Sequence, residues 1–407
     1  MWLWLTIKWL VVAVEVLVAV PTLYLAAVAA AAIARSFGAG REAPRGVDGA
    51  GEEARHPRFA LVIPAHDEEA TIGTLLASLG DVDYPRERFD IYVVADNCRD
   101  DTVGVVERSG VARALARVDT ERRGKGYALA WAFERLRGHA PAYDAYVVID
   151  ADSVVDSQLL LAYARALRSR AAAIQASNAV LNVEESPATA LRWIALTLMN
   201  HIRPLGRNLL GANSTLTGNG MCLSAGLLER QPWRAFGLAE DYQYYLTITL
   251  AGERIRYAPD ARVRSVMPVS FEAMQTQDLR WESVGQRPPT WSWVARLLRA
   301  GGWRRIEAVL ELIAPPLSQL VAAVVIADIA APALRDPLAM GLAALLTLGL
   351  VVYVASAFIT LRPAWPVYRA LLSAPGFLAW KLWVTLVLRR RRSREGAWVR
   401  TARAQRL

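Results

Sequence analysis

The chain has 407 residues, 54% of them apolar, and a formal net charge of +9. It is too long for one small domain and too apolar for an ordinary soluble enzyme. Its two cysteines, Cys98 and Cys222, and its four histidines show no paired spacing. That argues against a disulfide framework and a zinc site, and agrees with a reducing compartment.

Taken in chain order, the first strong signal is the near-continuous apolar run from Val11 to Ala34, broken mainly by Glu15 and Pro21. A helical span needs roughly 20 such residues. The run lacks the short apolar core and clear cleavage site of a signal peptide, so residues 1–37 read as a retained membrane anchor. Residues 38–58, rich in Gly, Ala and charge and carrying Pro44 and Pro57, read as a linker. The pattern then changes. Phe59–Ile63, Phe89–Val94 and Tyr146–Ile149 read as strands, and Ala70–Leu79, Thr102–Arg108 and Gly126–Arg137 as helices. Such alternation predicts an α/β domain, 59–285, around a mostly parallel sheet. Ligands bind beyond the carboxyl ends of the strands in such sheets. The run Pro64-Ala65-His66-Asp67-Glu68 follows the first strand, Asp96-Asn97 the second, and Asp150-Ala151-Asp152 the later one. Asp67 also reads as an N-cap for the helix that follows it.

Asp150 and Asp152 offer oxygen ligands to a hard divalent cation, which would in turn carry a diphosphate. Arg122-Arg123-Gly124-Lys125-Gly126 precedes a helix, where glycine lets backbone approach a ligand and Lys125 places a point charge near phosphate. Gly218-Asn219-Gly220-Met221 reads as a flexible turn. Glu240 and Asp241 form an acidic pair, and Gln277-Asp278-Leu279-Arg280-Trp281 places a guanidinium beside an indole. Each has a bland reading taken alone: solvated loop acids, a turn lysine, helix N-terminal carboxylates, an interfacial Arg-Trp pair.

Toward the C-terminus, 286–308 holds Trp291, Trp293 and Trp303 with Leu297, Leu298 and Ile306. This suggests a stretch lying on a membrane surface, the alternative being a helix packed on the catalytic domain. Within 309–363, Ile313–Leu334 and Leu338–Leu361 read as two further spans. In 364–407, the stretch Ala364–Leu388 carries Arg369, Lys381, Trp365, Trp380 and Trp383, the pattern of an interfacial helix, with a fourth crossing as the alternative. The tail Arg389–Leu407 holds eight arginines and one glutamate. Positive residues beside membrane helices stay cytoplasmic, and Arg35, Arg41 and Arg45 place the end of the first helix on the same side. Three spans satisfy both constraints, with the catalytic domain at the cytoplasmic face. Anionic headgroups account for the basic tail, so nucleic acid is not expected as a partner. The intramembrane acids Glu15 and Asp328 are expected to pair between helices or to sit at an interface.

With these motifs in this order, the chain resembles the membrane-bound family 2 glycosyltransferases over about Phe59 to Arg287. The resemblance implies a GT-A-like, Rossmann-type, mostly parallel α/β sheet with flanking transmembrane helices. It implies nucleoside contacts at Pro64, Ala65, Glu68 and Asp96, and phosphate contacts at Lys125. It places Mg²⁺ or Mn²⁺ at Asp150 and Asp152, with Asp152 the direct ligand, and the Gly218 turn near the acceptor. Asp241, beside Glu240, would be the general base. In the signature Gln277, Arg280 and Trp281, Arg280 would pair with phosphate oxygens and Trp281 would stack on a sugar ring or wall the acceptor pocket. The family often has Asn at the position of Asp67, and Gly-Ser at Asn97-Cys98, departures that bear on the nucleobase contacts and not on the fold. The implied activity is inverting transfer from a nucleotide diphosphate sugar, with a UDP-sugar expected, to a lipid-linked or growing glycan acceptor. A processive polysaccharide synthase subunit and a non-catalytic scaffold on the same fold are the alternatives. An oligomer or an accessory export subunit would supply the helices a polymer channel needs.

Overall fold

The computed structural model describes residues 2–38, 56–237, 239–270, 274 and 290–383. Contacts divide them into two units. One gathers residues 2–38, 186–212 and 290–383, and the other 56–185, 213–237, 239–270 and 274.

The second unit is built on an eight-stranded sheet. Its strands are β1 (Phe59–Ala65), β2 (Phe89–Asp96), β3 (Arg113–Arg117), β4 (Ala145–Val148), β5 (Ser153–Val155), β6 (Ala173–Val180), β7 (Met221–Ser224) and β8 (Ile255–Ser265). Their order is β3-β2-β1-β4-β7-β6-β8-β5. The first four strands are parallel, β7 runs antiparallel between β4 and β6, β6 and β8 are parallel, and β5 closes the edge antiparallel to β8. Apolar, largely β-branched runs make the central strands, since such residues suit a sheet covered on both faces. Phe59, Leu61, Ile63, Val93, Val147 and Ile149 share one core with Ile72, Leu75, Leu76 and Leu79 of the helix Ile72–Gly80. Each such side chain contributes about 1.5–3 kcal/mol by leaving water. The three predicted strands and three predicted helices are present, with no end moved by more than two residues. β3 was not predicted: Arg-Ala-Leu-Ala-Arg is short and charged at both ends, as suits an edge strand.

This topology has a switch point. From β1 the chain passes to β2 and β3 on one side and then to β4 on the other, so the carboxyl ends of β1 and β4 border a crevice open to ligands. The Pro64–Glu68 and Asp150–Asp152 motifs sit at those two ends.

In the other unit, three helices are long and apolar enough to cross a membrane: Trp4–Gly38, Leu317–Leu334 and Pro337–Leu361. They pack through Val12, Val324, Ala327, Ala331, Ala339, Ala343 and Leu346. Their outer faces remain apolar, with Leu17, Ile326, Ile329 and Leu348 exposed. Helices apolar all round belong in a lipid solvent rather than in water. Asp328 pairs between helices as expected, accepting from Thr347 Oγ1 at 2.7 Å. Glu15 is buried, and neither of its carboxylate oxygens has a hydrogen-bond partner.

The tryptophan-rich stretch forms two helices, Thr290–Ala300 and Trp303–Ile313, separated by Gly301 and Gly302 in the left-handed region. Trp291, Leu298, Trp303 and Ile306 are exposed as a membrane-surface face requires, but Trp293 and Leu297 are buried. The sequence reading thus put two core residues on the surface face; apolar helix positions cannot be sorted without knowing their neighbours. After Pro337–Leu361 the described residues form the helices Trp365–Ala370 and Ala374–Trp383, the second of which reaches the end of the described region. The basic tail lies outside the described residues.

Candidate active site

Four of the singled-out side chains meet at the strand ends. Lys125 opens the helix Lys125–Arg137. Its Nζ donates to Asp150 Oδ1 at 2.5 Å and to the Gly218 carbonyl at 2.8 Å, and lies 3.9 Å from Glu240 Oε1. Asp241 closes the group: a Cβ placed on Gly218 would stand 3.0 Å from Asp241 Oδ2 and 3.2 Å from Lys125 Nζ. Gly218 has φ +77°, the backbone conformation that favours glycine there. Glu240 and Asp241 begin the helix Glu240–Leu250, where no side chain caps the N-terminus and carboxylates are favoured.

Three acids and one ammonium in a partly buried cluster perturb one another. Burial pushes the Glu240 carboxyl up, and the Asp241 charge adds to it, while Lys125 opposes both. Asp241 is likewise raised, chiefly by burial, against the pull of Lys125. Burial alone would lower the Lys125 ammonium, yet Asp150, then Glu240 and Asp241, hold it above the ordinary lysine value. A lysine fixed in its charged form beside acids of raised pKa is an arrangement suited to an anionic ligand and a proton acceptor.

Asp150 and Asp152 follow β4 with only Ala151 between them. The Asp150 side chain remains 37% exposed, so it is accessible while paired with Lys125. Two hard oxygen donors at a strand end fit Mg²⁺ or Mn²⁺.

The residues singled out for the nucleoside lie at or just after the ends of β1 and β2. Ala65 ends β1, with Pro64 before it, and the Ala65 carbonyl accepts from Cys98 Sγ at 3.5 Å. Glu68 is half-buried; its backbone N–H donates to Thr102 Oγ1 and its carboxylate accepts from Thr71 Oγ1 at 2.6 Å. Asp96 ends β2 and is 6% exposed. Its Oδ1 accepts from Arg117 Nη1 at 2.5 Å and from Asn97 Nδ2 at 3.0 Å. Sequence reasoning missed Arg117. The β2–β3 register sets it opposite Asp96, and that register follows from a strand that had not been predicted. Asp67 does not cap the next helix, as the sequence suggested. It adopts φ +55°, and its Oδ1 accepts from the Arg99 N–H at 2.7 Å, tying two loops together.

Among the described residues, Asp67, Cys98 and Asp100 bring potential metal-ligating atoms within 4.8 Å of one another. Asp67 already accepts a backbone N–H, and Asp100 accepts from Thr102 and Glu69, so this group braces the loops. A thiol among carboxylates also suits a hard cation less well than the Asp150–Asp152 pair does. Gln277, Arg280 and Trp281 lie outside the described residues. The Gly218 turn, read as flexible, is instead held by the Lys125 bond and by the bonds of Asn219.

The loop before Glu240 leans on the start of the lysine helix. A Cβ on Gly126 would collide with the Ala235 carbonyl oxygen and stand 3.0 Å from Phe236 Cα. Phe236 stacks on Tyr127 at 4.4 Å, and Trp233 donates to the Ala235 carbonyl at 3.1 Å. Gly126→Ala is therefore expected to displace this loop, costing about 1–3 kcal/mol as overpacking. The check is the melting temperature in detergent, together with turnover.

A mixed α/β sheet with a lysine–carboxylate cluster at its carboxyl edge agrees with the GT-A-like fold expected from the sequence. The family profile described as "Glycosyltransferase like family 2" matches residues 56–283, and the chain belongs to that family. It is 24% identical over 233 residues to the "Probable glycosyltransferase YdaM" of Bacillus subtilis (strain 168), covering 55% of this chain and 54% of that one. It is 23% identical over 274 residues to the "Beta-monoglucosyldiacylglycerol synthase" of Synechocystis sp. (strain ATCC 27184 / PCC 6803 / Kazusa), covering 65% and 55%. The chain thus spans about half the length of these curated relatives. Among solved structures, the mannosyltransferase PcManGT from Pyrobaculum calidifontis, in complex with GDP-Man and Mn²⁺, aligns with TM-score 0.50 and 17% identity over 93% of this chain and 97% of that one. At that identity the likeness is one of fold.

Proposed function

We propose that this protein transfers a sugar, with inversion, from a nucleoside diphosphate sugar to a lipid-linked or glycan acceptor at the cytoplasmic face of a membrane. The observation that carries this reading is the convergence of Lys125, Asp150, the Gly218 carbonyl and Asp241 at the carboxyl ends of the strands. Pro64, Ala65, Glu68 and Asp96 receive the nucleoside, with Asp96 held in place by Arg117. Lys125 neutralises the diphosphate. Asp150 and Asp152 would hold Mg²⁺ or Mn²⁺, which when bound would supply Lewis-acid charge to the departing nucleotide. Lys125 stays protonated throughout, held in that form by Asp150, Glu240 and Asp241. Asp241 takes the proton of the acceptor hydroxyl as its oxygen attacks the anomeric carbon, with Glu240 raising the local negative field. One displacement breaks the bond to the nucleotide and forms the new glycosidic bond. Gln277, Arg280 and Trp281 are assigned to the donor phosphates and acceptor wall on sequence grounds alone.

Three candidate membrane helices and a glycolipid synthase among the relatives support a lipid acceptor. The family relatives and the GDP-mannose-bound fold neighbour support a nucleotide-sugar donor. The deciding experiment is nucleotide release by detergent-purified protein across UDP- and GDP-sugars, with Mg²⁺, Mn²⁺ or chelator, and with diacylglycerol or lipid extract. Metal-dependent release with one donor, coupled to a glycosylated lipid, is expected. Absence of release with every donor and acceptor would sink the reading and favour a scaffold.

A further inference from the structure

We infer that Asn219 is a positioning residue that holds the Asp150–Ser153 turn in the shape a divalent cation requires, an inference that rests on the metal-assisted reading above. The turn carries both proposed metal-binding acids. Its ends are joined by the Ser153 N–H donating to the Asp150 carbonyl at 3.2 Å. Asn219 grips both ends from outside. Its Oδ1 accepts from the Asp150 N–H at 3.1 Å, and its Nδ2 donates to Ser153 Oγ at 2.9 Å. The same Nδ2 reaches Ser265 Oγ of β8 at 3.3 Å, and the two serine hydroxyls lie 3.1 Å apart.

The gripping residue is itself fixed. Asn219 is 3% exposed and stands between Gly218 and Gly220, both with positive φ. Its carbonyl accepts from Gln175 Nε2 at 2.7 Å, while Gln175 Oε1 accepts from the Thr217 N–H at 3.0 Å. The Gly220 carbonyl accepts from the Tyr163 hydroxyl at 2.9 Å. Asn219 therefore hangs from β6 and the neighbouring helix Leu159–Leu167, and its amide is aimed at the turn. Only a planar amide of this length offers one acceptor to the backbone N–H and two donors to the hydroxyls. The preceding carbonyl, of Gly218, is the one Lys125 uses. One residue thus joins the acid turn to the lysine's anchor.

Residues that orient metal-binding side chains typically change metal affinity or activity 10–100-fold when replaced. The test uses full-length protein in detergent, wild type against Asn219→Ala and Asn219→Asp. Free Mn²⁺ is counted by electron paramagnetic resonance without donor, alongside kcat, donor KM and melting temperature. Asn219→Ala is expected to weaken Mn²⁺ binding at least about tenfold and to lower kcat more than it raises donor KM. Asn219→Asp keeps the acceptor for the Asp150 N–H, and the serine hydroxyls can rotate to donate to it, so it should recover part of the Mn²⁺ affinity. A folded Asn219→Ala protein with wild-type Mn²⁺ affinity overturns the inference. So does a lower melting temperature with unchanged affinity, which would leave Asn219 a purely structural role. Wild-type protein that binds no Mn²⁺ overturns it too. Mn²⁺ binding without sugar transfer in wild type would instead remove the enzymatic reading while the Asn219 comparison still stands.

Discussion

Asp241→Asn is expected to lower kcat about 10²–10⁴-fold, the usual contribution of a positioned general base, with the fold intact. The substitution is isosteric. It removes a negative charge from a cluster that already holds Glu240 and Asp150, so stability should hold or improve. Nucleotide release at saturating donor, with circular dichroism as the control, checks both parts. Retention of activity within about threefold of wild type would remove Asp241 from the role. The pH profile tests the same site. Burial raises the Asp241 pKa, so the unprotonated base forms at higher pH than in an ordinary aspartate. The acidic limb of kcat/KM should accordingly lie at higher pH than an ordinary aspartate would give. Lys125 holds this pKa down, so Lys125→Met must move the limb to still higher pH, whatever it does to donor affinity. A limb that stays in place or falls would show that the group seen in the profile is not the one beside Lys125.

Arg207→Met is expected to cost about 3–5 kcal/mol of stability, because it strands a buried carboxylate. Arg207 is fully buried and bidentate to Glu307, with Nε–Oε1 2.6 Å and Nη2–Oε2 2.9 Å. One helical turn away, Arg203 reaches Glu311 at 3.2 Å and the Tyr353 hydroxyl at 2.9 Å. The Tyr24 hydroxyl donates to Glu307 at 2.6 Å. The network ties the segment 186–212 to the helices Trp2–Gly38, Trp303–Ile313 and Pro337–Leu361, all within one unit. Close packing supports it, since a Cβ on Gly206 would collide with the Val28 carbonyl oxygen. The double variant Arg207→Met, Glu307→Leu should regain most of the loss, since a buried pair replaced together by apolar groups is often neutral. Melting in detergent reads both; equal loss in the single and double variants would show that volume, not charge, sets the effect.

Much of the site was legible in the chain because its acids lie in short contiguous motifs. Pro64–Glu68, Asp96, Asp150–Asp152 and Glu240–Asp241 each follow or open an element whose periodicity is strong, and a parallel sheet brings such ends to one edge. Other parts were not legible. Arg117 needed the register of an edge strand that carries no apolar run. Asn219 looked like part of a loose glycine turn, since nothing local reveals that its amide meets a backbone N–H 69 positions away in the chain. The Arg203/Arg207 and Glu307/Glu311 pairs share a spacing of four, a signal that could have suggested two facing helices.

By itself, the sequence determined which segments are apolar enough to span a bilayer, which runs become strands, and which carboxylates lie at their ends. These follow from local composition and period, and both act along the chain. Tertiary structure alone decided that Lys125, Asp150 and Asp241 share one cluster, that Trp293 turns inward while Trp291 does not, and that residues 186–212 leave the sheet unit for the helical one. Those outcomes depend on what packs against each side chain. A buried charge or amide takes whatever partner folding brings to it, because leaving it unpaired costs more than any local preference can return.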